Sequence, residues 1–375
     1  MWDILRREMM ILLHERRMVL FVLMGAASAY ALLIGNLYQG QIVQRIPVVV
    51  CDLDDSSLSR QLIGDISNAD QYKFIGTVAD EPEAMHLLTM QKASVAVIIP
   101  KDFARHFQEG SSVNLSFVQN GSNTLEAGYA AAPMQLIWSD WVVRYRAQAD
   151  IIHGNPELSP AALNLNLRYT GNPVQGYLVF YIYGVMLMAA QIGITMSYAL
   201  AVQTDVLNGY YQRHGIICVT LAKNLLYWTL SFSSVLLGIL VLAGFFDLPF
   251  YGSMLKMLFI CGIFLFAVEN IAGLAGIYFR TKLALVQCLV FYALPSFLLS
   301  GYIWPNQGMV GIVNWISCLQ PVHYVLMDFR QLALTGAGSN NYWQNVMVLS
   351  LIGLCGVIVS CLWIRYKGCW RLRKS

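Results

Sequence analysis

The sequence predicts an α-helical polytopic membrane protein with six transmembrane helices and a re-entrant hairpin, plus an inserted extracytoplasmic α/β domain. Three observations carry this. Hydrophobic residues are 57% and charged residues only 12% of the 375 residues, about half the charge of an ordinary soluble chain. The charge is also segregated: 14 of the 21 acids but only 9 of the 24 bases lie between Asn36 and Gln175, so a polar block interrupts an apolar one. Finally, apolar runs of about 20 residues, enough to cross roughly 30 Å of hydrocarbon, recur six times.

Residues 1–17 read as an amphipathic interfacial helix. Trp2, Leu5, Met9, Leu12 and Leu13 share one helical face, while Asp3, Arg6, Arg7, His14 and Arg17 fall largely on the other. A basic segment that merely sets topology is the alternative. Residues 18–38 form the first span. Arginines before it and Ala27-Ser28-Ala29 inside it also fit a cleaved signal peptide. The apolar run continues through Leu37, however, and either outcome leaves the next domain outside.

Residues 39–175 read as an extracytoplasmic α/β domain with a helical stalk. Strands are expected at Ile46 to Cys51, Tyr72 to Val78, Ser94 to Ile99 and Val113 to Val118. Helices are expected from an Asp54 or Ser56 cap through Ile66, over Glu81 to Gln91 and over Asp102 to Gln108. A long helical periodicity follows from Ser122 to His153, and Pro156, Pro160 and Pro173 break the path to the second span. The acids Asp52, Asp54 and Asp55 could hold a cation, but the turn and cap after a strand use the same residues. Cys51 is the only cysteine of this block, so no disulfide can form within it.

Residues 176–375 carry spans two to six, a re-entrant hairpin at about 301–320 and a basic cytoplasmic tail. The spans are Tyr177 to Val202, Leu221 to Phe246, Met254 to Phe279, Leu283 to Gly301 and Trp343 to Ile364. Ser300 and Gly301 end the fifth, and Pro305 and Pro321 each remove a backbone donor. The intervening apolar run to Cys318 is then a separate piece about half a bilayer wide. Asp328 and Arg330, near its outer end, could pair with each other or with the external domain, a solvated pair being the more ordinary reading. Basic residues fix the orientation: 13 of them against four acids (Asp3, Glu8, Glu15, Asp205) fall on the termini and the two even-numbered turns. Both termini are therefore expected in the cytoplasm.

The chain offers no engine. No Gly-Lys-Ser or Gly-Lys-Thr occurs, so the phosphate-cradling loop of an ATPase is missing. The one acid well inside a span is Glu269, whose charge would cost about 2.5–3.5 kcal/mol at mid-bilayer unless it faces protein or water. It is a candidate for lining a substrate path, with a purely structural role or a proton relay as alternatives. No His-Glu-x-x-His and no His/Cys ligand spacing appears. No catalytic residue, metal ligand or cofactor of its own is expected. A membrane-anchored receptor or assembly factor sensing a ligand through the outer domain is the rival class, against which stands an inner loop of only about 20 residues.

The order of parts resembles the permease subunits of type 2 ABC exporters, in the bacterial subgroup with a large extracytoplasmic domain between the first and second spans. Ile46 through Arg60 (IPVVVCDLDDSSLSR) looks like that family's strand followed by Asp-x-Asp-x-Ser-x-x-Ser-Arg. Val97 through Phe103 is similar to its Ile-Pro-x-x-Phe element, and Tyr169 through Pro173 to the Tyr-Asn-Pro leading into span two. Arg280-Thr281, Ser300-Gly301, Pro305, Met309, Pro321, Tyr324 and Phe329-Arg330 follow its re-entrant signature. The resemblance implies two permease subunits, alike or different, above two ABC ATPase subunits that bind ATP and Mg, with a periplasmic membrane-fusion protein as a further partner. It places this chain in the bacterial inner membrane and has it move an amphipathic substrate outward. ATPase contact would come from Met1 to Arg17 and from the loop Thr204 to Thr220, which should carry a short coupling helix; Asp205, Gly209 and Arg213 are its candidate contact residues. The family's Glu-x-Glu-x-Gly-Thr is reduced here to Thr204-Asp205-Val206-Leu207-Asn208-Gly209-Tyr210, with Lys223 later, which points to a second, more typical permease as companion.

Overall fold

A computed structural model describes residues 1–38, 45–90, 92–109, 113, 115–119, 124–153, 177–304, 308–336 and 340–372. The chain divides into two compact units, Met1–Gln41 with Tyr169–Ser375, and Ile42–Arg168.

The first unit begins with α1 (Trp2–Met10), which continues as a single π-helical turn, Ile11–Glu15, and breaks at Arg16. The face turned inward is Ile4, Glu8 and Leu12, at i, i+4 and i+8. Trp2 and Leu13 are exposed on the other side, and a carboxylate occupies the buried stripe. Helix α2 (Arg17–Leu37) follows.

The second unit carries β1 (Ile46–Asp52), α3 (Ser57–Asn68), β2 (Tyr72–Val78), α4 (Glu81–Thr89), β3 (Val95–Ile99), α5 (Phe103–Gln108), β4 (Ser116–Gln119) and α6 (Thr124–His153). The sheet order is β2-β1-β3-β4, with β1 parallel to β2 and β3, and β4 antiparallel to β3. Both β1 and β3 are Val/Ile-rich and buried on both faces, as parallel central strands should be. One face packs against α3, α5 and α6, where Phe103, Phe107, Trp138, Trp141 and Tyr145 have ring centroids 5.0–6.3 Å apart. Each such aromatic pair adds about 0.5–1.5 kcal/mol beyond area burial. The acids after β1 act as turn and cap residues: Asp52 accepts from the amides of Asp54 and Asp55 and from the Ser59 hydroxyl, and Asp54 accepts from the Ala104 amide. Ser56, not Asp54, caps α3, in a reciprocal box with Ser59.

The chain then returns to the first unit with α7 (Tyr177–Leu207), α8 (Tyr210–His214), α9 (Ile216–Phe245), α10 (Met254–Tyr278), α11 (Lys282–Leu299), α12 (Gly311–Cys318), α13 (Pro321–Thr335) and α14 (Tyr342–Leu372). Among the described residues six helices are long and apolar enough to cross a membrane: α2, α7, α9, α10, α11 and α14. Glycines let them touch. A Cβ on Gly276 of α10 would stand 2.4 Å from the Ala199 carbonyl oxygen of α7, and one on Gly353 of α14 would stand 2.4 Å from the Phe266 ring. Small residues serve close helix contact where water cannot drive association.

The helix breaks on either side of α12 fall where Gly and Pro demand. Helix α11 stops at Leu299, Gly301 adopts φ 82°, and Gln320 is extended so that Pro321 can open α13. Tyr302 is buried and donates to the Phe180 carbonyl at 2.6 Å, its ring filling the space a Cβ on Gly184 would need. Asp328 is not solvated: it is 1% exposed and accepts from the Asn345 amide at 2.7 Å. The Arg330 guanidinium lies over the Phe180 and Tyr302 rings at 4.8 and 4.5 Å. Pro305, the stretch Tyr169 to Pro173, Pro156, Pro160 and the basic residues Arg373 and Lys374 lie outside the described residues.

Candidate coupling site

The connection expected over Thr204 to Thr220 is shorter than that. Nothing in the sequence breaks the helix before Gly209, so α7 runs through Leu207, and α9 already begins at Ile216. Between them sits α8, five residues bounded by two glycines with positive φ, Gly209 at 68° and Gly215 at 87°. A side chain at either would strain the turn. Tyr211 anchors α8 in the core, whereas Gln212, Arg213 and His214 are exposed.

Extending the two helices brings four ionisable groups together beneath α8. Lys223, eight residues into α9 and 1% exposed, places Nζ 2.7 Å from Asp205 Oδ2 and 2.9 Å from Glu8 Oε1, and donates to the Ala201 carbonyl at 3.4 Å. Arg7 grips Asp205 with both terminal nitrogens, at 3.2 and 3.1 Å, and reaches Glu8 at 2.9 Å. Its guanidinium lies 3.7 Å from the centre of the Tyr210 ring. Next to Asp205 in the chain, the Thr204 hydroxyl accepts from Arg16 at 3.1 Å. Two cations and two anions thus join α1, α7, α8 and α9, with formal charges that cancel.

The electrostatics follow from that geometry. Burial pushes the Glu8 carboxyl above its ordinary range; Lys223 opposes the shift and the Asp205 charge adds to it. Burial works against the charge on Arg7, but its hydrogen bond to Asp205 and the field of both carboxylates hold it higher than usual. A buried pair is costly to open, since removing one partner strands the other charge away from water. Beside the cluster lies a polar cavity of about 480 Å³, bordered by His14, Glu15 and Asn208 as well as the four charged residues.

The structure treats the sequence-derived candidates unequally. Arg213 is exposed and Gly209 shapes the turn, but Asp205 is 2% exposed and turned inward to Arg7 and Lys223, so its carboxylate is not presented at a surface. Glu8 and Lys223 are functional candidates that the sequence reading did not single out. A lysine inside an apolar helix is itself a signal, because it requires a partner. Glu269, 0% exposed on α10, stands apart from this cluster. It borders a cavity of about 930 Å³ lined by α9, α10 and α14, and among the described residues neither of its oxygens has a hydrogen-bond partner. Ser300 is buried, donates to the Phe297 carbonyl and accepts from the Tyr302 amide; with Gly301 and Pro321 it shapes the breaks around α12.

The chain is 25% identical over 301 residues to the probable multidrug ABC transporter permease YbhS of Escherichia coli (strain K12), covering 78% of this chain and 77% of the relative. It is 21% identical over 364 residues to the probable multidrug ABC transporter permease YbhR of the same organism, covering 94% of each. The sequence model of the ABC-2 family transporter protein matches residues 16–362. With nearly the whole chain matched, the protein belongs to the ABC-2 transporter family, as a multi-pass membrane permease of the type 2 ABC class.

Proposed function

We propose that this chain is the membrane-spanning permease subunit of an ATP-driven exporter, moving an amphipathic substrate such as a drug or lipid outward with power from a separate ATPase subunit. Membership of the family implies an ABC system with an ATPase partner. The observation that carries the rest is α8: a helix exposing Gln212, Arg213 and His214 and held, through Tyr210 against Arg7, to the buried ion cluster of α1, α7 and α9. In this reading the exposed face of α8 and the outer face of α1 meet the ATPase. Asp205 acts behind that face, as the anchor through which displacement of α8 moves α7 and α9 together, and Gly209 acts through backbone geometry. ATP and Mg belong to the partner.

The excess of basic residues around α1, α8 and the turn at Arg280 and Lys282 supports a cytoplasmic position for this face and for both termini. The unit Ile42–Arg168 then lies outside the cytoplasm, where it could meet a periplasmic membrane-fusion protein, and α12 with the turn at Pro321 forms a re-entrant hairpin at the outer membrane face. A second permease subunit completes the pathway, and the loss of one acid from the family's coupling pattern favours a different chain in that position. In this reading Glu269 lines the path of the substrate.

The test is transport in proteoliposomes. Chain, second permease subunit and ATPase partner together should move a fluorescent amphiphile on addition of ATP, and the chain alone should not. Transport against a gradient by the chain alone would refute the reading.

A further inference from the structure

We infer that the cavity between α9, α10 and α14 binds a lipophilic cation, with Glu269 as its counter-charge. The inference rests on the reading of the chain as a lipid-embedded permease and names the chemistry one of its sites takes. Apart from Asn224, Ser350 and Glu269, the lining of this roughly 930 Å³ space is apolar, with Trp228, Phe232, Phe259 and Phe266 supplying ring surfaces. Trp228 and Phe232 stack at 5.0 Å, and the indole donates to the Gly262 carbonyl at 2.7 Å, so these walls are held in place.

The polar groups nearby are already engaged, with one exception. Asn224 bonds the Asn270 side chain at 3.0 Å and the Tyr198 hydroxyl, and Asn270 donates to the Phe266 carbonyl at 2.8 Å. Glu269 alone keeps two buried oxygens without a partner among the described residues. A buried carboxyl costs free energy unless something bonds or pairs with it, and native structures seldom leave one so without a reason. A site with apolar and aromatic walls and one acid at its border is complementary to an apolar body carrying one positive charge.

The depth selects among cations. Glu269 lies nine residues before the end of α10, about 13 Å at 1.5 Å per residue. A lipid ammonium is strongly hydrated and is held at the interface by its phosphate, so it does not reach that level. A cation whose charge is shielded by its own apolar substituents loses little hydration on entering, and it alone gains from both the rings and the carboxylate. Size agrees as well, since ligand cavities run about 300–1,000 Å³.

Tetraphenylphosphonium and tetraphenylborate have the same shape and opposite charge, which isolates the role of Glu269. Equilibrium binding of each is measured separately on the full chain in phosphatidylcholine nanodiscs, without nucleotide or ATPase. The cation should bind saturably and the anion should not. Glu269→Gln should weaken the cation about 30-fold or more, the lower range for removing one partner of a buried charge pair, and Glu269→Asp should retain part of the affinity. Ile263→Trp, which fills the cavity and leaves the acid, should also weaken binding. Equal affinity for the two ions, undiminished binding to Glu269→Gln, or displacement of the cation when phosphatidylethanolamine replaces phosphatidylcholine would overturn the inference. Should Glu269→Gln fail to fold, the two-ion comparison and Ile263→Trp decide. Because no ATPase is present, loss of binding is separable from loss of ATP-driven transport: saturable cation binding without export would retain this site and refute the proposed function.

Discussion

Replacing Lys223 with Met removes a charge while keeping most of the stem volume, so the loss reports electrostatics more than packing. In the native chain Nζ bridges Glu8 and Asp205 at 2.9 and 2.7 Å, and all three side chains are at most 4% exposed. Without it two buried carboxylates share Arg7, whose side chain is 34% exposed and so partly screened by solvent. Breaking a buried pair from one side costs about 3–5 kcal/mol. Glu8→Gln alone leaves Lys223 with Asp205 and should cost less. The double variant Lys223→Met/Glu8→Gln again balances one cation against one anion, and its loss should fall below the sum of the single losses by about 1–3 kcal/mol. Equilibrium unfolding in mixed micelles with increasing sodium dodecyl sulfate measures all three. A loss below about 1 kcal/mol for Lys223→Met, or strict additivity in the double variant, would refute the cluster as the element joining α1 to α7 and α9.

Four further outcomes follow from the same geometry. Because Glu8 holds its proton more tightly in the folded chain than in the unfolded one, stability should fall as pH rises from the ordinary glutamate range through its raised value and then level off; Glu8→Gln should flatten that slope in the same unfolding assay. Gly276→Ala drives a methyl against the Ala199 carbonyl and should cost about 1–3 kcal/mol by overpacking. Gly209→Ala places a side chain at φ 68° and should cost about 1–2 kcal/mol, with Gly209→Asn milder because asparagine tolerates that region. Ser56→Ala removes the α3 cap and should cost about 1 kcal/mol, read as faster amide hydrogen exchange over the first turn of α3.

What was legible in the sequence is what local rules govern. Length and apolarity mark the six long helices, and Gly301 and Pro321 mark breaks because backbone geometry at those residues depends on no distant partner. The strands of the smaller unit are legible for a similar reason: runs such as Val48-Val49-Val50 and Val95 through Ile99 suit only a doubly covered sheet. The candidate site was legible in part. Gly209 caps α8 and the exposed Arg213 lies on it, whereas Asp205 sits near the end of α7 and faces inward to Lys223, 18 residues away in sequence, and Arg7, 198 away. No periodicity records such a pairing. Glu8 was masked for the same reason: on a helical wheel a glutamate belongs to the polar face, and only the Lys223 ammonium makes its burial tolerable. The groove at Glu269 was half visible, since an acid inside a span announces itself, but its aromatic walls come from helices that only folding assembles.

The central claim is that the α8 face receives a separate ATPase while the smaller unit lies across the membrane from it. Photo-cross-linking tests it most directly, with a benzoylphenylalanine placed at Arg213 or at the exposed Arg60 in cells that also produce the ATPase partner. The account predicts a permease–ATPase adduct from position 213 and none from position 60. An adduct from position 60, or modification of a cysteine at position 213 by an impermeant reagent added outside the cell, would contradict it.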